Sequence, residues 1–129
     1  MIASPEWKKN EIPPEGVAIK DNIHRNTWAE YLATFTKRNE SRPTWLQVFG
    51  KPGSQSGDHA LPLIGISLEE NGADAPGVHI MFGGRDEIET RHVITNVEWV
   101  LPQIGADGRD VAIEFVDKKG QVCLLIFKQ

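Results

Sequence analysis

Two histidines, His79 and His92, have a spacing that could hold a metal ion. They lie on two apolar runs separated by a turn at residues 84–87, which is the pattern of a β-hairpin. If Val78 pairs with Val93 so that the apolar residues of the first run share the core face, His79 lies opposite His92 on the other face. Opposed residues have Cβ atoms about 5 Å apart, which lets both imidazoles bind one cation. The alternative is a pair of half-exposed surface histidines.

A catalytic zinc site needs a third protein ligand besides two histidines. His59, Asp86 and Glu98 are candidates for this role, provided that the fold brings one of them near the pair. The sequence contains no His-Glu-x-x-His pattern, which would place two ligands on one helix. The metal site is therefore kept as a hypothesis, and no cofactor is predicted.

Two segments were candidates for a nucleophile. Residues 53–57 have the glycine spacing of a nucleophile elbow, but the central position is Gln55, where that motif requires serine. Cys123 stands between Val122 and Leu124, where a thiol usually packs as a small hydrophobe. No catalytic residue is predicted from either segment.

Two carboxylates, Glu98 and Glu114, interrupt apolar strands. A carboxylate on a partly covered sheet face is a candidate general acid or base, because desolvation disfavours its ionised form. The alternative is that each side chain points to solvent. Both readings depend on which face of the sheet each residue occupies.

Aromatic residues are candidates for lining a ligand pocket between helix and sheet. Such pockets are often lined by aromatic rings, with a few polar groups that orient the ligand. The same side chains are also what a helix-on-sheet core would use. The residues concerned are Trp28, Tyr31, Trp45 and Trp99.

One helix is predicted, over residues 27–39. Its apolar stripe recurs at i, i+4 and i+7 and consists of Trp28, Leu32 and Phe35. Thr27 and Glu30 have the spacing of a capping box, in which each side chain bonds the backbone N–H of the other residue. Pro43 follows, and the residue before a proline avoids helical angles.

From residue 44 onward, apolar and polar residues alternate, which predicts strands. The gaps between the runs are mostly too short for the crossovers that parallel strands need, so the sheet is predicted to be antiparallel. The fold class is α+β: one N-terminal helix packed on an antiparallel meander sheet, or a partly open barrel, of five to six strands. Residues 1–22 are predicted to form an arm and residues 23–129 a single domain. The strands are predicted at residues 45–49, 61–68, 78–82, 90–101, 111–116 and 122–127.

The last predicted hairpin turns at Gly120, which can adopt the positive φ of a tight turn. Pairing Val116 with Gln121 would place Ile113 beside Leu124 on an apolar core face. The reverse face is also too apolar for open water. We therefore expect the helix or a second subunit to cover part of it.

Composition excludes several classes of function. The chain has 129 residues, a net charge of −4 and one cysteine. One cysteine excludes a disulfide framework and every zinc site with two or more thiolates. The acidic balance argues against a duplex nucleic acid partner. No apolar run approaches the roughly 20 residues that span a bilayer, and the start lacks the apolar run of a signal peptide, so a cytoplasmic protein without a membrane partner is predicted.

Several short segments stand in an order shared with one protein family. Ile-His-Arg at residues 23–25 precedes the helix, and Trp-Leu-Gln-Val at residues 45–48 follows it. The most specific segment is Leu-Pro-Leu-x-Gly-Ile at residues 61–66. Over residues 23–127 the chain resembles a family of short, uncharacterised bacterial proteins, a domain of unknown function. The resemblance implies an N-terminal helix leading into a β-rich body, and it implies no activity, cofactor or site residue.

From these features we expect a small non-enzymatic module that binds a partner protein or a second copy of itself through the sheet. The basis is the surplus of apolar residues on both faces of the last hairpin, without a strong catalytic set. The alternative is a small-ligand-binding protein or enzyme with a pocket between helix and sheet. An open cavity with polar groups there would favour the alternative, and a filled core would favour the module.

Overall fold

The fold is taken from a computed structural model, which describes residues 17–19, 22–49, 60–83 and 89–128. A 3-10 helix at Arg25–Thr27 leads directly into helix α1, Trp28–Asn39. The strands are β1 (Val17–Ile19), β2 (Pro43–Phe49), β3 (Leu61–Glu69), β4 (Gly77–Gly83), β5 (Glu89–Ile94), β6 (Val97–Gly105), β7 (Asp110–Asp117) and β8 (Val122–Phe127).

The strands form one open antiparallel sheet in the order β1-β6-β7-β8-β2-β3-β4-β5. The predicted α+β class with an antiparallel sheet is confirmed. Over the described ranges, seven strands have six residues or more and β1 has three, so the predicted count of five to six strands is too low. The predicted meander is also corrected, because β5 ends the sheet at one edge whereas β6 lies beside the strand at the other edge.

The run predicted as one strand over residues 90–101 is two strands because Asn96 breaks it. Asn96 has a φ of 51°, in the left-handed region where a strand cannot continue. Its N–H donates to the Asp74 carbonyl oxygen, and its own carbonyl accepts from the Lys118 N–H, both at 2.9 Å. Asparagine tolerates this conformation better than most residues. The two-residue turn, Thr95 and Asn96, joins β5 at one edge of the sheet directly to β6, which lies next to the other edge strand, β1.

Helix α1 begins within one residue of its predicted start and ends where predicted. The predicted capping box is wrong, because the Thr27 hydroxyl donates to the His24 carbonyl oxygen at 2.8 Å and makes no cap bond to the helix. The 3-10 helix therefore continues into α1 without the bonds expected between Thr27 and Glu30.

The core lies between α1 and one face of the sheet, which we call the near face. Trp28, Leu32 and Phe35 are buried there against side chains of β3 to β8. The Phe35 ring lies 5.7 Å from the ring of Phe127. The thiol of Cys123 belongs to the same cluster, and burial raises its pKa to about 12, so it packs as a hydrophobe as predicted. The space between helix and sheet is therefore a filled core.

A buried carboxylate fastens the C-terminal end of α1 to the start of β7. Arg38 donates from Nε and Nη2 to the two carboxylate oxygens of Asp110, at 2.7 and 3.1 Å. Asn39 Nδ2 donates to the same carboxylate at 2.7 Å, and Arg42 Nη1 donates to the Asp110 carbonyl oxygen at 3.0 Å. Burial by itself would raise the pKa of Asp110, but the hydrogen bonds from Arg38 and Asn39 outweigh it and hold the pKa below its usual value. We call these four residues the Asp110 anchor.

The last hairpin has a register one residue away from the predicted one. Val116 pairs with Val122, and the Asp117 N–H donates to the Gln121 carbonyl oxygen at 3.0 Å, which leaves a three-residue loop. Gly120 has a φ of 85°, as predicted. The Asp117 carboxylate accepts the N–H of Gln121 at 2.9 Å. This bond stabilises a loop of residues 118–120, which is one residue shorter than the loop that the predicted pairing leaves. Cys123, Leu125 and Phe127 consequently lie on the near face.

Replacing Phe35 with alanine tests the helix–sheet core. The ring is fully buried, so Phe35→Ala should lower the free energy of unfolding by about 3–5 kcal/mol. Urea denaturation at pH 7 measures this loss. Lys37→Ala is the matched control on the exposed side of α1 and should change stability by less than about 0.5 kcal/mol. A loss below about 1 kcal/mol for Phe35→Ala would show that the helix is peripheral.

The Asp110 anchor predicts a pH dependence of stability. Because its folded pKa is lowered, the Asp110 carboxylate stabilises the fold above its unfolded pKa of about 3.9, and this contribution is lost as the pH falls through the folded value. Asp110→Asn should therefore be less stable than the wild type by about 1–3 kcal/mol at pH 7, and the difference should shrink below about pH 4.

Urea denaturation at pH 7, 5 and 3 measures that difference. Asp74→Asn is the matched control, because the Asp74 side chain is exposed and should follow the wild type at every pH. A stability difference between Asp110→Asn and the wild type that stays constant from pH 7 to pH 3 would contradict the prediction.

Candidate binding face

The two predicted metal ligands lie on opposite faces of the sheet. β4 and β5 pair His79 with Val93 and His92 with Ile80, so the predicted register is wrong by one residue. The reason is that Ile94 takes the buried position predicted for Val93, which is instead 45% exposed. Neighbouring apolar β-branched residues satisfy either register equally well in the sequence. The larger side chain occupies the core.

The pairing on which the metal hypothesis depended is therefore absent, and we carry no metal site forward. Side chains on opposite faces of a strand pair diverge and do not share a cation. Among residues 17–19, 22–49, 60–83 and 89–128, no group of three His, Cys, Asp or Glu side chains could hold a metal ion. Glu98 is exposed on β6, and His59, Asp86 and the segment 53–57 lie outside the described residues.

The four aromatic residues predicted to line one pocket are divided between different places. Trp28 is buried in the core, and its Nε1 donates to the Ile23 carbonyl oxygen at 2.8 Å. Tyr31 is half-buried at the side of α1. Trp45 pairs with Ile126, and Trp99 packs near Val116, both on the sheet face turned away from α1. The structure does not bring the four rings together.

That second face, which we call the far face, is a regular array of side chains on β6, β7, β8 and β2. The cross-strand register defines three rows of four residues each. The rows are Trp99, Val116, Val122 and Phe49; Leu101, Glu114, Leu124 and Gln47; and Gln103, Ala112, Ile126 and Trp45.

Burial of the far face decreases from β7 towards β2. All three members on β7 are buried, whereas on β2 Trp45 and Gln47 are half-buried and Phe49 is 39% exposed. Ile126 on β8 is half-buried as well. The accessible parts of the far face are its β2 side and, on β6, the half-buried Trp99; Phe49 on β2 is its one exposed member.

The reverse face predicted for the last hairpin is divided between the two faces of the sheet. Its β8 residues, Cys123, Leu125 and Phe127, lie in the core with α1, whereas its β7 residues, Ala112, Glu114 and Val116, are buried on the far face, away from the helix.

Two polar side chains are buried within the far face. Glu114 is 0% exposed, between Leu101 and Leu124 on the neighbouring strands. Gln103 is 3% exposed, and within the described part of the chain its Nε2 has no hydrogen-bond partner. The sequence identified Glu114 as a candidate acid or base, and the structure places it inside the protein, not in solvent. A fully covered carboxylate is not positioned to meet a substrate at the surface.

The sequence predicts a role for only some residues of the far face. Trp45 and Trp99 are pocket-lining candidates and Glu114 is a candidate acid or base, whereas no role is predicted for Gln103 or Phe49. The alternation of Trp45, Gln47 and Phe49 along one strand was the available signal for a single face. Assigning that face to the same side as Glu114 required the registers of two strand pairs, β7 with β8 and β8 with β2.

Gln103→Met tests the cost of the buried amide. An unpaired buried amide N–H is destabilising by about 1–3 kcal/mol, and methionine fills a similar volume without it. The variant should therefore be more stable than the wild type by about 1 kcal/mol in urea denaturation. Gln121→Met, half-buried beside the loop between β7 and β8, is the control and should change stability by less than about 0.5 kcal/mol. A Gln103→Met variant less stable than the wild type would contradict the prediction.

No family model, curated protein or solved structure matches the chain. Among the described residues, no helix is long and apolar enough to cross a membrane. The similarity at residues 61–66 remains a resemblance, since no match bears on it. Function has to be inferred from the geometry of the chain itself.

Proposed function

We propose that this chain is a small non-enzymatic binding module that associates with a second copy of itself through the β2 side of its far face. The observation that carries the proposal is the composition of that side. Phe49 is 39% exposed, and Trp45, Gln47 and Ile126 are half-buried beside it. Three of these four side chains are large and apolar, and all four are uncharged.

The arrangement of these side chains suits a protein interface. Trp45, Gln47 and Phe49 project from one face of β2 at every second residue, and Ile126 lies opposite Trp45. Aromatic residues are enriched at the centres of interfaces, where they bury much area at a small entropic cost. The amide of Gln47 lies between the two rings and can donate or accept hydrogen bonds across the contact.

A second copy is argued as the partner from the lack of charge on this surface. Each chain has a net charge of −4, so two copies repel each other overall, and a contact between them is opposed least where the touching surfaces carry no charge. The β2 side of the far face meets that condition. A twofold contact places the same surface of both copies together, which an apolar strip of this kind allows.

A second exposed apolar site is less suited to self-association. Ile64 and Val93 are 40% and 45% exposed on the outer side of β3 to β5. There Arg91 lies on the same side of β5 as Val93, and His79 on β4 is the cross-strand neighbour of Val93. A twofold contact would bring these basic groups near their copies. Val93 is therefore a matched control for Phe49.

The filled core also favours a binding module over a protein with a pocket between helix and sheet. Trp28, Leu32 and Phe35 occupy that space, and each is almost fully buried. A ligand of ordinary size requires a cavity of about 300–1,000 Å³, which a packed core does not provide. The far face is thus the better candidate for binding.

Phe49→Asp tests the proposed self-association. The wild type should elute as a dimer at about 50 µM in size-exclusion chromatography with light scattering, since interfaces of standard size reach micromolar affinity. A carboxylate at position 49 would be buried without a partner, so Phe49→Asp should be monomeric at the same concentration. Val93→Asp should remain dimeric.

Thermal unfolding of both variants establishes that each one is folded. A monomeric wild type at that concentration would overturn the proposal. Equal dissociation by Phe49→Asp and Val93→Asp would also contradict it, because the contact would then not be specific to the far face.

A further inference from the structure

A groove lies between α1 and the segment before it, at the edge of the core, where Ile23 and Tyr31 pack against the buried cluster. Its volume is about 390 Å³, within the range of small-molecule sites, which is about 300–1,000 Å³. Thr27, Glu30 and Tyr31 line it from the helical side, and Ile23 and His24 form the opposite wall. It lies apart from the far face, on which the proposed self-association depends.

The wall formed by the segment before α1 is held in place by backbone and side-chain bonds. The Ile23 N–H donates to the Val100 carbonyl oxygen at 2.9 Å, and the Val100 N–H donates to Asn22 Oδ1 at 2.9 Å. Trp28 Nε1 donates to the Ile23 carbonyl oxygen at 2.8 Å from within the core. The groove therefore exists before any ligand binds, which lowers the entropic cost of binding.

The residues that line the groove favour a cation with an apolar body. Ile23 and Tyr31 are half-buried and supply an apolar floor. Glu30 is the only carboxylate among the residues that line the groove, and it has no ion-pair partner in the described part of the chain. No Lys or Arg side chain of the described residues lines the groove to pair with an anionic ligand.

Tyr31 supplies the aromatic surface of the groove. The Arg38 guanidinium carbon lies 5.7 Å from the ring centroid and Arg38 Nη2 donates to the Tyr31 hydroxyl at 3.5 Å, but the charge of Arg38 is paired with the Asp110 carboxylate. Burial, the largest influence, raises the pKa of Tyr31, so the phenol stays neutral and keeps a hydroxyl that can donate a hydrogen bond. A ring and a carboxylate next to each other are the groups that recognise organic ammonium ions.

We propose that this groove binds a small organic amine, whose ammonium group contacts the Glu30 carboxylate and whose apolar body lies on Ile23 and Tyr31. The amine is identified only by this chemistry: one positive charge, at least two donor hydrogens and a flat or branched hydrocarbon part. The site is independent of the dimer contact, so either proposal can fail alone.

A titration of the ¹⁵N-labelled full chain with phenethylamine tests the proposal. Saturable shifts are expected at the amides of Ile23, Thr27 and Tyr31, with an affinity in the millimolar range that is usual for a ligand of this size in a shallow site. Hydrocinnamate, which has a carboxylate in place of the ammonium group, should give no saturable shifts. The same titration on Phe49→Asp should give the same affinity, because position 49 is on the far face.

Glu30→Gln should weaken phenethylamine binding by about fivefold, since an exposed charge pair contributes at most about that factor. Glu40→Gln is the matched control, because Glu40 is exposed beyond the other end of α1, and it should leave the affinity unchanged. Tyr31→Phe should retain most of the affinity, since the ring remains. The absence of saturable shifts, equal binding of hydrocinnamate, or equal loss in Glu30→Gln and Glu40→Gln would each overturn the proposal.

Discussion

The packing of α1 against the near face of the sheet is the contact on which the rest of the structure depends. Trp28 and Phe35 give that contact its apolar area, but apolar burial alone does not fix the direction of a helix. Directional polar bonds do this at both ends: Trp28 Nε1 bonds the segment before the helix, and the Asp110 anchor holds the last turn. The same helix then forms one wall of the groove, so a single docked element both fills the core and shapes a surface site.

Sequence periodicity was sufficient for the helix and for the direction of the strands, and insufficient for the register. The apolar stripe of α1 has only one orientation that buries it, so its bounds were predicted within one residue. In β7 and β8 both faces are buried, and in β5 Val93 and Ile94 are adjacent, so alternation does not distinguish one register from the next. The loop after Asp117 decides the register of β7 and β8 through side-chain bonds that periodicity does not report.

Strand boundaries depended on backbone conformations that the sequence does not state. Asn96 divides a run of continuous strand character because it adopts a positive φ, which is uncommon for a residue other than glycine. Pro102 has the opposite effect. The predicted strand over residues 90–101 ends just before Pro102, yet Pro102 lies buried within β6 opposite Ile113. The break at Asn96 separates β5 from β6, and the continuation of β6 beyond Pro102 supplies residues 103–105, which pair with β1.

The candidate site was predicted by residue type but not by position, and the one-residue shifts in register explain why. Moving β8 by one residue places Phe127 in the core and Ile126 on the far face, next to Trp45. The apolar surplus of the last hairpin is thereby buried within the chain, and the exposed apolar side chain of the far face is Phe49 on β2. Since β2 lies beside β8 and shares its two faces, the helix that covers the near face of β8 leaves the far face of β2 without cover from the helix.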